Sequence, residues 1–262
     1  MNTRAAVVTA PQASTFPAIS ITIAGAWLLI VLAQASGTAA ALHHHALIGG
    51  DTPAATAIPR FLIAWQVMVV AMMWPASLHA IDAFWHGLPN LRRPSLAVAT
   101  FLGTSAVVWA GFGLAAFVGD VVVHSVVDTT PWLGARPWLI EAVVLAIASG
   151  YQFTPLKRRF LAACRRPGDH VISPALVGAD RVGANAIRLG LHHALDCVGS
   201  CWALMLVMFA SGFASLWAMA ALTILMVYEA TGRNGERVAT AAGVVLLLAA
   251  LTVLSGPLPG VA

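Results

Sequence analysis

The stretch GANAIRLGLHHALDCVGSCWALMLVMFASG, from Gly183 to Gly212, is long and apolar enough to cross a membrane, yet it carries polar and sulfur side chains. At about 100° per residue, these side chains fall within one stripe about a third of the helix circumference wide. The members of the stripe are His193, Cys197, Cys201, Met205 and Met208. Leucine, valine and alanine would suit a purely lipid-facing span better, so the stripe indicates that this face of the helix does more than contact lipid.

Two interpretations of this stripe stay open at the level of sequence. Thiolate, thioether and imidazole together are the ligands that suit Cu(I), and thiolate with imidazole also suits Zn(II). Alternatively, cysteine and methionine are adaptable fillers of a packed core, and His193 forms a hydrogen bond with a neighbouring helix. The first interpretation predicts a metal site, and the second predicts helix packing alone.

The composition places the whole chain among integral membrane proteins. Of its 262 residues, 60% are hydrophobic and 9% are charged, and the mean hydropathy is +0.85. Soluble domains carry roughly 25% charged residues. The apolar runs do not alternate with polar residues as the strands of a membrane barrel do. We therefore expect an all-α, polytopic transmembrane helix bundle that forms a single domain over residues 1–262.

Windows of about 20 apolar residues predict seven membrane spans. The seven are Ile19–Leu42, Phe61–Ile81, Leu96–Val118, Trp138–Phe153, Ala186–Ala210, Leu216–Tyr228 and Val238–Leu254. With the N-terminus inside and the C-terminus outside, only Arg60 and Arg136 of the basic residues lie in outer connections. The distribution of the basic residues thus indicates the orientation of the chain in the inner (plasma) membrane and does not indicate nucleic-acid binding. The expected partners are membrane lipids and other membrane subunits.

The second span carries a second stripe of soft ligands. Met68, Met72 and His79 lie within about 100° of arc on a regular helix. Pro75 lies between Met72 and His79, and it removes the hydrogen bond that the carbonyl of Ala71 would accept. In lipid that carbonyl needs another partner, so the proline predicts that this part of the span packs against protein.

The two stripes predict one site if the second and fifth spans are neighbours. These spans run in opposite directions, and at about 1.5 Å per residue Met72 lies as deep as Cys201. His79 lies near the level of His193. The candidate metal ligands are therefore His193, Cys197, Cys201, Met205, Met68, Met72 and His79.

A weaker second candidate lies beyond the third span. Asp120, His124 and Asp128 repeat at four-residue spacing, and carboxylate with imidazole binds hard or borderline metals. The alternative is an ordinary helix end that reaches water. The remaining cysteine, Cys164, falls in a basic inner connection, where we expect it to stay reduced.

Three stretches resemble a bacterial family when they are taken together. They are residues 64–75 (AWQVMVVAMMWP), residues 151–157 (YQFTPLK) with Cys164 and Arg165 downstream, and residues 188–205 (RLGLHHALDCVGSCWALM). They resemble the metal-binding integral membrane proteins grouped as domain of unknown function 2182, over about Phe61 to Glu229. The resemblance implies metal binding and no established reaction.

The chain departs from the family pattern at two positions. The family carries a double cysteine before the tryptophan, and the first of the pair is Ser200 here; it also carries a cysteine where this chain has Phe160. Both departures remove thiols from the ligand set that the resemblance implies. Cys197, Cys201 and Met72 remain.

The leading hypothesis is a membrane protein that binds copper, with zinc as the second choice, and that stores, transports or delivers the metal. One alternative is an accessory or scaffold subunit of a larger membrane redox complex. Another is a haem protein with His79 and His193 as axial ligands. No nucleotide-binding loop or catalytic triad supports an enzyme.

Overall fold

The computed structural model describes residues 16–41, 47, 53–86, 94–166, 182–211 and 216–255, and these residues form helices without any strand. In chain order the helices are α1 (Phe16–Ala35), α2 (Thr38–Ala41), α3 (Ala54–His86), α4 (Pro94–Thr129), α5 (Pro131–Gly134), α6 (Trp138–Gln152), α7 (Pro155–Arg165), α8 (Val182–Ser211), α9 (Leu216–Thr231) and α10 (Gly235–Leu254). The expected all-α fold is thus confirmed for the described residues.

Each of the seven predicted spans overlaps a helix, although the first, Ile19–Leu42, covers both α1 and α2 and ends at a residue outside the described ones. Five helices in the described part of the chain, α1, α3, α4, α8 and α10, are long and apolar enough to cross a membrane. α6 and α7 could together supply a sixth span, although they are bent by 67° at the break between them, and α9 is a shorter apolar helix. The number of spans and their orientation stay predictions.

Helix α8 lies at the centre of the packing. It contacts α4, α7 and α6 along its length and also touches α9 and α3. Gly190 permits the close approach to α4, because a Cβ atom at this position would lie 2.7 Å from the carbonyl oxygen of Phe101. A larger residue here would have to push the two backbones apart.

The second and fifth predicted spans are neighbours, as the two-stripe prediction requires. The Nε2 atom of His193 on α8 lies 3.0 Å from the hydroxyl oxygen of Ser77 on α3. Met68 and Met72 of α3 are also buried in the same core cluster as Cys197, Cys201 and Met205 of α8. The soft ligands of both stripes therefore face one core.

The carbonyl group of Ala71, which Pro75 leaves without its helical partner, accepts a hydrogen bond from another helix. The indole Nε1 of Trp27 on α1 donates this bond at 3.0 Å. Ala71 itself is fully buried. The prediction that this part of the second span packs against protein is confirmed. The carbonyl group that the proline leaves free forms a contact with α1.

The surface of the bundle carries many large apolar side chains. Large aliphatic and aromatic side chains point outward, among them Val107 (72% exposed), Ile224 (70%) and Trp217 (88%). The interior instead holds methionine, cysteine and tryptophan. Exposed apolar surface on this scale is typical of a protein that contacts a membrane or other proteins.

We expect the substitution Trp27→Phe to lower the stability of the fold by about 1–3 kcal/mol, because it leaves the carbonyl of Ala71 buried without a donor. Thermal unfolding of the purified protein measures the change. Trp217→Phe is the matched control, since Trp217 is exposed and its loss should leave the unfolding temperature nearly unchanged. Equal effects of the two substitutions would contradict the role of the Trp27 hydrogen bond.

Candidate metal centre

Helix α7 is a short amphipathic helix whose start is encoded locally. Thr154 is its N-cap residue and accepts a hydrogen bond from the backbone N–H of Lys157 at 3.1 Å. Pro155 occupies the first turn, where its missing N–H has no cost. Lys157, Leu161 and Cys164 then recur at helical spacing and are the buried residues of this helix. One face of α7 therefore points into the bundle.

Hydrogen bonds from Lys157 of α7 and from Tyr151 at the end of α6 fix these two helices against α8 and α9. The ammonium group of Lys157 donates hydrogen bonds at 2.6 Å to the carbonyl of Ser200 and at 2.6 Å to Oε2 of Glu229. The hydroxyl of Tyr151 donates to the carbonyl of Gly199. The basic helix is thus docked by polar contacts inside an apolar core.

The guanidinium group of Arg165 closes the end of α9. It donates hydrogen bonds of 2.6 Å each to the carbonyl oxygens of Glu229 and Gly232. The last carbonyl groups of a helix have no partner within the helix, and a cation is favourable at that end. Arg165 therefore holds the end of α9 beside Cys164, its neighbour in sequence.

Docking of α7 brings all three cysteines of the chain together. Cys164, Cys197 and Cys201 are free thiols, and each is no more than 6% exposed. All three belong to one core cluster, and the hydroxyl of Ser200 lies within 3.6 Å of the sulfur of Cys164 and 3.4 Å of the sulfur of Cys201. Cys197 and Cys201 are one turn apart on α8, whereas Cys164 comes from α7. We call these three residues the thiol cluster.

The hydroxyl group of Ser200 lies within the thiol cluster. Its Oγ atom is 3.6 Å from the sulfur of Cys164 and 3.4 Å from the sulfur of Cys201. It also donates a hydrogen bond of 3.0 Å to the carbonyl of Cys197. This is the position at which the family resemblance implies another cysteine, so the missing thiol would belong to the same cluster.

The second departure from the family pattern also lies next to the thiol cluster. Phe160 of α7 packs its ring on the backbone of Gly199, since a Cβ atom on Gly199 would come within 2.5 Å of that ring. The contact closes the space between α7 and α8 with an apolar group. Phe160 thus contributes packing where the family pattern has a thiol.

His79 contacts the thiol cluster through the backbone rather than through a sulfur atom. Its Nε2 atom donates a hydrogen bond of 2.6 Å to the carbonyl of Cys164. Its Nδ1 atom is buried and has no hydrogen-bond partner among the described residues. His79 therefore positions the end of α7 and leaves one ring nitrogen free within the core.

The methionines of the described residues all belong to the core cluster that contains the thiols. The seven are each no more than 1% exposed: Met68, Met72, Met73, Met205, Met208, Met219 and Met226. They come from α3, α8 and α9. The candidate ligands Met68, Met72 and Met205 are thus placed in the same core as Cys197 and Cys201.

His193, in contrast, serves the contact between helices. Its Nε2 atom faces Ser77, and its ring stacks on Phe101 of α4 at 5.4 Å between centroids. With the Nε2 atoms of both His79 and His193 engaged in hydrogen bonds, the geometry does not favour the haem alternative.

The weaker candidate site near the end of α4 is not assembled. His124 is 3.4 Å from the carboxylate of Asp120 and 2.9 Å from its backbone carbonyl. Asp128 is exposed. The pair of Asp120 and His124 is an ordinary (i, i+4) interaction on a helix surface.

No group of three or more histidine, cysteine or acidic side chains within the described ranges is arranged as a ready-made metal site. In the thiol cluster, the sulfur atoms of Cys164 and Cys201 instead contact the Ser200 hydroxyl. A metal ion would have to replace these hydrogen bonds and the thiol protons. The donor set itself, three thiols beside a methionine-rich core, fits a soft ion such as Cu(I).

Sequence reasoning missed Cys164 as a site residue, because its surrounding basic residues suggested an inner connection. A signal was present, since Thr154 and Pro155 mark a helix start and Lys157, Leu161 and Cys164 follow on one face. Reading that pattern as an amphipathic helix would have turned Cys164 toward the bundle.

The fold and the cluster together define an apolar helical protein with three free thiols buried in a methionine-rich core. The chain belongs to the copper chaperone family described as PpoB2, whose model matches residues 62–253. Neither the comparison with curated proteins nor that with solved structures gives a match. Membership of this family indicates a copper-related function and supports copper as the metal. The label domain of unknown function 2182 stays a resemblance.

We expect the three thiols to be protected from alkylation in the folded protein, on the order of a hundred-fold relative to an exposed cysteine, because reaction requires local opening of the core. Mass spectrometry after treatment with N-ethylmaleimide measures the labelling. Arg158→Cys provides the control, since Arg158 is exposed on the same helix α7. Rapid labelling of Cys164 in the folded protein would contradict its docked position.

Proposed function

We propose that this protein is a multi-pass membrane protein that binds Cu(I) at the thiol cluster and delivers it to a partner protein. The observation that carries the proposal is that all three cysteines, from two separate helices, lie buried in one core cluster, with the hydroxyl of Ser200 near the sulfur atoms of both Cys164 and Cys201. Membership of a copper chaperone family supports copper as the cargo. Storage and transport across the membrane, which the sequence also allowed, receive no comparable support.

The ligand chemistry favours Cu(I) over Zn(II). Cu(I) is a soft ion that accepts a small number of thiolate and thioether donors, whereas structural zinc sites use four ligands in a tetrahedron. The cluster offers three thiols, and the side chain between them is the hydroxyl of Ser200. Cys164, Cys197 and Cys201 are therefore the proposed primary ligands.

The buried methionines give the proposed site its surroundings. Met68, Met72 and Met205 lie in the same core cluster as the thiols, and their thioethers are weaker, softer ligands than thiolates. They keep water and hard ligands away from the site and could accept the ion as it moves. His79 and His193 are proposed to position helices rather than to bind copper, because their Nε2 atoms are engaged elsewhere.

Location in the inner (plasma) membrane is the setting that the composition and the fold support. Five described helices satisfy the length and hydropathy of a span. Large apolar side chains such as Val107 and Trp217 point outward, which suits hydrocarbon as the surrounding phase. In the predicted topology α7 lies at the cytoplasmic side, so a partner would meet the thiol cluster there.

Replacing Cys197 and Cys201 together by serine should abolish stoichiometric copper binding, because one thiol cannot hold Cu(I) in competition with cellular thiols. Cys164→Ser alone should weaken binding by about ten-fold or more. Copper content of protein purified under reducing conditions is measured by elemental analysis. A variant with Asp120→Asn and His124→Gln is the control and should keep its copper. Unchanged copper in the Cys197/Cys201 variant would refute the proposed site.

Restoring a thiol at position 200 should strengthen copper binding. Ser200→Cys places a fourth sulfur between Cys164 and Cys201, where the hydroxyl now lies. We expect an affinity for Cu(I) that is several-fold higher, measured by competition with a chromogenic chelator. The matched control is Ser149→Cys, because the Ser149 hydroxyl is also buried but bonds to the carbonyl of Gly243 instead. An affinity equally raised by both substitutions would contradict the assignment.

A further inference from the structure

A buried cation lies directly beside the thiol cluster. Lys157 is completely buried, and its ammonium group is 2.6 Å from the carbonyl oxygen of Ser200, which lies between Cys197 and Cys201 on α8. A buried ammonium is expensive to maintain, so its position needs a reason beyond packing. A hydrocarbon side chain of similar length would pack α7 against α8 at lower cost.

The charge of a loaded thiol cluster supplies such a reason. Cu(I) held by two thiolates has a net charge of minus one, and Cu(I) held by three thiolates has a net charge of minus two; the thiol protons leave to solvent. An anionic complex inside a medium of low dielectric constant is strongly stabilised by a nearby cation.

Lys157 is the cation best placed for this task. Arg165 is also close, but its guanidinium group is bound to the carbonyl oxygens of Glu229 and Gly232 at the end of α9. The ammonium group of Lys157 is 2.6 Å from the carboxylate of Glu229 and 2.6 Å from the carbonyl oxygen of Ser200, so two opposite charges lie next to Cys201. The two partners of this buried ion pair therefore have opposite effects on the same thiol.

Only one of the two carboxylate oxygens of Glu229 takes part in the ion pair. Its Oε2 atom accepts the hydrogen bond from Lys157, whereas its Oε1 atom is buried without a partner among the described residues. A carboxylate that served only to neutralise the lysine would be expected to have both oxygens satisfied. Its negative charge opposes the formation of another anion nearby.

We propose that Lys157 is the counter-ion of the copper–thiolate complex and that Glu229 limits the strength of that complex, so that the pair sets an affinity from which copper can be passed on. This inference rests on the proposed function and adds to it how the affinity of the same site for copper is set. The ammonium group of Lys157 donates its hydrogen bonds to the Ser200 carbonyl and to Glu229, so its proposed effect on the complex is through charge. A chaperone needs such a limit, because a partner must be able to remove the ion.

The test compares four full-length variants by competition for Cu(I) with a chromogenic chelator. Lys157→Met should lower the affinity by about ten-fold or more, and Glu229→Gln should raise it by a similar factor. Lys157→Arg keeps the charge and should retain most of the affinity. The double variant Lys157→Met with Glu229→Gln should fall between the two single variants.

Opposite signs of the two single substitutions separate a charge effect from a structural one. Loss of packing would lower the affinity in both variants and leave the double variant no better. Equal losses, or no change in Glu229→Gln, would overturn the inference. Because glutamine has nearly the shape of glutamate, that variant remains informative even if Lys157→Met does not fold, which thermal unfolding reveals.

The outcome also separates this inference from the proposed function. If the Cys197/Cys201 variant loses its copper while the Lys157 and Glu229 variants bind as the parent does, only the counter-ion role fails. If the Cys197/Cys201 variant keeps its copper, the site itself is wrong.

Discussion

The buried ammonium group of Lys157 is the constraint on which the arrangement of the core depends. In a chain with 9% charged residues, such a group is stable inside the bundle only where oxygen atoms surround it. The carbonyl of Ser200 and the carboxylate of Glu229 supply them, and these acceptors belong to α8 and α9. Satisfying one charge therefore fixes three helices, and Cys164 is carried to the other two thiols as a result.

Much of the fold could be predicted because apolar length and helical period are local properties of the sequence. Every predicted span overlaps a helix, and Pro75 predicted the unpaired carbonyl of Ala71, which accepts a hydrogen bond from Trp27. The number of spans is less certain from sequence, since the fourth window ends at a bend and the sixth is short. Their status depends on surrounding lipid rather than on the pattern alone.

The residues of the candidate site that lie on one face of a single helix could be predicted from the sequence. The residue that joins them through the packing of another helix could not. The period of 3.6 residues placed Cys197, Cys201 and Met205 toward the core, where the structure has them. The same stripe contains His193, yet that ring turns to Ser77 and Phe101 because α4 and α3 flank this end of α8. Cys164 is distant in sequence and lies among arginines, so only the tertiary contacts of α7 reveal it.

The bend between α6 and α7 has a consequence for biogenesis. Cys164 is synthesised before Cys197 and Cys201, and Lys157 of the same helix α7 pairs with the carboxylate of Glu229, which is synthesised later still. The three thiols can therefore come together only after α8 has been synthesised, and the ion pair beside them can form only after α9 has been synthesised. The proposed site thus takes its final form only when the C-terminal third of the protein is in place.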